Sequence, residues 1–62
     1  MNRRYISKTN DIYNFVIENC RQGFRLRVDG WPMATCDTVE ECEQEAEIIA
    51  KDLMLQQLPD GL

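Results

Sequence analysis

The chain has no histidine among its 62 residues, which removes the side chain that most often serves as general base near neutral pH. Cysteine is scarce and odd in number. Cys20, Cys36 and Cys42 form no CxxC pair and fall short of the four ligands of a closed zinc site. The first residues, MNRRYISKTND, carry basic groups with no apolar segment after them, unlike an export signal. The three thiols are therefore expected reduced, mostly buried and acting as small hydrophobes, with no disulfide framework. The three glycines, Gly23, Gly30 and Gly61, are scattered and build no phosphate loop. No apolar run reaches bilayer length, so the expectation is a cytoplasmic protein that does not enter a membrane.

A composition of 44% hydrophobic and 29% charged residues is that of a folding chain rather than a disordered one. At this length it reads as a single small domain over 1–62, with 1–8 and 58–62 as frayed ends. So short a chain buries only a modest share of its surface. With disulfide and metal set aside, association with a second subunit is the expected reinforcement. Charge is unevenly placed, +3 over residues 1–36 and −7 over residues 37–62.

The C-terminal half carries the clearest local signal. Thr38 followed by Val39, Glu40 and Glu41 reads as a capping box, and Asp37, Glu40 and Glu41 place negative charge at the positive end of the helix dipole. With no Gly or Pro until Pro59 and Gly61, a helix is expected from about 39 to 57. Its core stripe is Val39, Cys42, Ala46, Ile49, Ala50 and Leu53.

Upstream, Phe24, Leu26 and Val28 alternate with Arg25, Arg27 and Asp29, the period of a half-buried strand. Asp29-Gly30 signals a hairpin, with Trp31-Pro32 suggesting a loop slightly longer than two residues and a return strand over about 33–37. Pro32 fits the start of that strand because it lacks a donor.

Residues 10–22, NDIYNFVIENCRQ, are contested. Propensity favours a strand. Periodicity favours a helix, with Asn10, Asp11, Asn14, Glu18, Arg21 and Gln22 on one arc and Ile12, Tyr13, Phe15, Val16, Ile17 and Cys20 on the other. Gly23-Phe24 resembles a left-handed helix cap followed by a hydrophobic residue. The fold expected is α+β, a two-layer α-β-β-α domain with a β-hairpin packed on two helices. The runner-up is β-β-β-α, with residues 13–20 as a first strand.

Catalysis is not expected. Cys42 lies in the first turn of the long helix, which favours a thiolate, but it sits on the core stripe among glutamates, which disfavour one. The glutamates of that helix read as a solvated face rather than an acid/base pair.

Ile48 and Leu55 fall on the back of the helix, seven residues apart, widened by Met54 and Leu58 with Lys51 between them. Such a contiguous apolar patch marks an interface. The expected function is a non-catalytic regulator, adaptor or inhibitor that binds a protein partner, and itself as a homodimer, through Ile48, Leu55, Met54, Leu58 and Lys51. Arg25 or Arg27 of the second subunit would meet the surrounding glutamates. A minor variant has the acidic helix mimic nucleic acid.

The competing expectation is a nucleic-acid-binding module. In it Arg25 and Arg27 project from the outer sheet face, joined by Arg21 and the basic N-terminus, while Trp31 stacks on a base. The net charge of −4 opposes that reading.

Overall fold

The computed structural model describes residues 1–59. Four strands run in succession as a meander: β1 (Asn2–Ile6), β2 (Ile12–Cys20), β3 (Gly23–Val28) and β4 (Trp31–Cys36). Helix α1 (Val39–Asp52) then crosses the sheet, and β5 (Gln56–Gln57) pairs antiparallel with β1. The strand order is β4-β3-β2-β1-β5. The fold is α+β, but the α-β-β-α arrangement with two helices is not what forms. Residues 10–22, expected as the first helix, contain β2, so β-branched and aromatic propensity prevails there. The runner-up placed that strand correctly but lacked β1 and β5. Residues 1–8, expected to fray, contain β1. Among residues 58–62, also expected to fray, the Leu58 N–H donates to the Arg4 carbonyl at 2.8 Å, and 60–62 lie outside the described residues.

Each turn has a local cause. Asp29 and Gly30 both have positive φ, 51° and 86°, as a two-residue turn with matching twist requires. Val28 then pairs directly with Trp31. The loop is therefore shorter than Trp31-Pro32 suggested, and the irregularity moves into a bulge opposite Leu26 and Arg27. Gly23 is not a helix cap but the first residue of β3. Its φ is +123°, and an added Cβ would stand 2.5 Å from the Cys36 carbonyl oxygen.

α1 begins as expected: the Thr38 side chain accepts from the Glu41 N–H and donates to the Glu41 carboxylate. It ends at Asp52, earlier than residue 57. Leu53 caps it, the Met54 N–H donates to the Lys51 carbonyl and the Leu55 N–H to the Ala50 carbonyl at 2.8 Å. This is a Schellman closure. Its left-handed position is normally glycine but is Met54 here, with φ 56°. No breaker announces the end, because helix propensity continues through Leu53-Met54-Leu55. Tertiary contacts select the closure instead: Leu55 packs against the core and β5 joins the sheet.

The core lies between α1 and one sheet face. Cys42, Ala46 and Ala50 meet Tyr5, Phe15, Ile17, Leu26 and Val28, three small helix residues against large sheet side chains. Leu53, assigned to the core stripe, is 54% exposed, since the chain is already leaving the helix there. Tyr5 and Phe15 stack tilted at 50° with centroids 4.5 Å apart, worth about 0.5–1.5 kcal/mol beyond burial. Arg3 also lies on the helix side and bridges to Glu43 at 2.8 Å, fastening β1 to α1. Among the described residues no helix is long and apolar enough to cross a membrane.

Two substitutions probe this packing by urea denaturation. Phe15→Ala removes a core ring that is 2% exposed and is expected to cost about 3–5 kcal/mol, enough to unfold much of so small a chain. Met54→Gly relieves the left-handed strain while losing little burial, and is expected to add about 0.5–1 kcal/mol. A loss of stability in the glycine variant would show that the methionine side chain holds the turn.

Candidate functional site

Among the described residues a single helix covers one side of the sheet and the other face is left open. Pairing register fixes what it presents. Phe15, paired with Arg3 and Val28, and Ile17, paired with Leu26, point to the core. Their neighbours therefore point away. The open face accordingly carries Arg4 and Ile6 from β1, then Ile12, Asn14, Val16 and Glu18 from β2. Arg25 and Arg27 from β3 and Thr35 from β4 lie on it too.

Ile6 and Ile12 stand opposite each other across β1 and β2, and Val16 lies between Asn2 and Arg27. Ile12 is 45% exposed, whereas Ile6 and Val16 are half-buried by their neighbours. The Arg4–Asn14 pair stands between the Ile6–Ile12 pair and Val16, so the face carries two aliphatic sites set among cationic and polar residues. The aromatic rings of the sheet other than Trp31, namely Tyr5, Tyr13, Phe15 and Phe24, lie toward the core.

The three arginines of the face are not equivalent. The Arg27 Nε donates to Glu18 Oε1, and its Nη1 donates to the Gly30 carbonyl at 3.0 Å. That donated hydrogen bond, with the charges of Arg27 and Arg25, holds the Glu18 carboxyl below the usual carboxylate range. Arg27 is thus occupied, whereas neither Arg4 nor Arg25 has a salt-bridge partner among the described residues.

The expected patch on the helix back is divided. Ile48, 53% exposed, and Lys51 do face outward and, with Gln44 and Glu47, line a shallow depression on α1. Met54, 61% exposed, belongs to the turn after the helix. Leu55 turns inward against the core and Leu58 is half-buried beside β1. The two residues meant to stack on one helical face are therefore not on one helix.

The nucleic-acid set is divided as well. Arg25 and Arg27 share the open face, but Arg21 lies in the turn before β3 and Trp31 comes directly after the turn that ends it. About 20 Å of strand separates them. Trp31, 73% exposed, pairs with the buried Val28 and so points to the helix side, away from both arginines. In the sequence Arg4 stands out only as part of the basic N-terminus. Its place on the open face becomes evident once RRYI is read as a strand.

Cys42 is fully buried. Burial above all, then the neighbouring Cys36 and Cys20, pushes its thiol up to about 11. Such a thiol is protonated at neutral pH and a poor nucleophile. The folded state keeps this proton to higher pH than the unfolded chain, whose thiol titrates near 9. The associated stability is present below pH 9 and is lost as pH rises through 11. The urea midpoint is therefore expected to fall more steeply between those values for the native protein than for Cys42→Ala. Parallel slopes would refute it.

Comparison with known proteins supplies no relative: no family model, curated protein or solved structure matches this chain.

Proposed function

We propose that this protein is a non-catalytic interaction module that binds another protein through the open face of its sheet. One observation carries the reading: the Ile6–Ile12 pair, with Ile12 45% exposed, and Val16 further along the same face of the strand lie on a face that α1 leaves uncovered, beside two arginines without salt-bridge partners among the described residues. An antiparallel sheet can face water on one side, but it then usually shows polar residues there. Branched aliphatic residues on such a face are the mark of a contact surface. The buried, protonated Cys42 and the solvated glutamates of α1 favour binding over chemistry.

Self-association through the helix back has weaker support. Two helix backs paired about a twofold axis would bring Glu45, Glu47 and Asp52 of one copy against the same set of acids on the other, with Lys51 as the local cation. Arg25 and Arg27 lie on the other layer, out of reach of that contact.

Nucleic acid also fits poorly. Five strands spaced about 4.8 Å apart make a sheet about 19 Å wide, against a major groove about 12 Å wide that admits a two-stranded ribbon. Single strands are gripped by stacking on aromatic rings, and the face presents aliphatic side chains instead.

Selection from a random displayed peptide library tests the reading. Selected binders are expected to lose affinity for Ile12→Glu/Val16→Glu, provided that variant keeps its native circular dichroism, and to retain it for Ile48→Glu. Binders sensitive only to Ile48→Glu would move the interface to the helix back. Light scattering across a dilution series is expected to show a monomer; a dimer abolished by Ile48→Glu would have the same meaning.

A further inference from the structure

The dimensions and charge of the open face narrow what can cover it. We propose that its occupant is a single acidic amphipathic helix from another protein, lying across β1, β2 and β3 on the side opposite α1. This rests on the interaction reading above and gives the partner its chemistry.

Size comes first. The face is about 19 Å wide and about 20 Å long, a projected footprint of about 400 Å². A helix is about 10 Å across with its side chains, the width of two to three strands, and its apolar stripe fits a strip of that breadth. α1 already covers the other face in this way, so the occupant would complete a third layer of the same kind.

Charge comes second. Among the described residues the face carries Arg4, Arg25 and Arg27 against Glu18, with the Asp29 carboxylate at its edge accepting from the Asn14 N–H at 2.9 Å, and Glu18 is already paired with Arg27. Arg4 and Arg25 remain as receptors for carboxylates on the rim of the incoming helix. They stand on different strands, to either side of β2. A helix running along β2 therefore places its apolar stripe on Ile6, Ile12 and Val16 and its flanking acids within reach of both arginines. The face does not suit a second copy of itself. Doubling it about a twofold axis would set its surplus of arginine against the same surplus on the other copy.

The acids of α1 do not cancel this potential. Glu40, Glu41, Glu45 and Glu47 are exposed on the helix layer, separated from the open-face arginines by the sheet and by a helix about 10 Å thick, and the attraction between them falls with that distance. The net charge of −4 thus understates how cationic the open face is.

The test measures anisotropy of labelled helical peptides with leucine at core-facing spacing. The remaining positions are glutamate, lysine or serine in three otherwise equal peptides. The glutamate peptide is expected to bind the full chain, to gain helicity on binding and to weaken with salt. Arg4→Gln/Arg25→Gln is expected to reduce its affinity about tenfold, with the urea midpoint confirming that the variant is folded. Ile12→Glu/Val16→Glu is expected to abolish binding. If the serine peptide binds as well and ignores the arginines, the acidic partner is overturned while the interaction face stands. If all three peptides fail, both fall. A peptide copying Val39–Asp52 that binds more tightly, together with a mass that grows with concentration, would make the occupant a second copy joined head to tail. Duplex DNA bound with the same arginine dependence would replace the helix by nucleic acid.

Discussion

Everything in this structure depends on the close approach of α1 to the sheet. Cys42, Ala46 and Ala50 recur every four residues and form the line along which the helix touches the strands. Their small side chains let the helix backbone sink between Phe15, Ile17 and Leu26. The large side chains are supplied from the sheet, where strand propensity already favours them. Larger residues at those three helix positions would lift α1 away and open the core. The polar fastenings are slight by comparison. The Arg3–Glu43 bridge is partly exposed and worth at most about 1 kcal/mol.

A helix of 14 residues covers one face of a five-stranded sheet, and the asymmetry of the molecule is a consequence. Helix residues that face water become acidic, whereas arginine on the strands is distributed to both sides of the sheet. Arg3 goes to the helix side and is neutralised by Glu43. Arg4, the next residue, goes to the open side, where no acid of the described residues bridges it. Two adjacent arginines thus have opposite roles because a strand turns successive side chains to opposite faces. The uneven charge along the sequence is this layering read in one dimension.

Much of this was legible in the sequence, and the failures share a cause. The capping box at Thr38, the β3–β4 hairpin at Asp29-Gly30 and the core residues Leu26, Val28, Cys42, Ala46 and Ala50 are local signals that tertiary contacts reinforce. Residues 10–22 misled because the alternation of polar and apolar residues breaks at Ile12-Tyr13 and at Phe15-Val16-Ile17. Alternation of side chains does hold in the structure, with Tyr13, Phe15 and Ile17 facing the core and Ile12 and Val16 facing out. Only polarity fails to alternate, because the outer positions are apolar too. The end of α1 was illegible for a different reason. Its left-handed residue is Met54 rather than glycine, and the pairing of β5 with β1 that selects the turn joins residues about fifty apart in the chain.

The misreading of β2 therefore carries information. A strand with one face in water should read as a clean alternation of apolar and polar residues, and one buried on both faces as a near-continuous apolar run. β2 lies between these patterns, apolar toward the core throughout and apolar outward at Ile12 and Val16. Neighbours within the chain half-bury Ile6 and Val16, whereas Ile12 is left 45% exposed. Outward apolar residues at Ile12 and Val16 give β2 a pattern intermediate between a strand with one wet face and a strand buried on both. The feature that hid the strand from periodicity is the same one that favours a contact on its outer side.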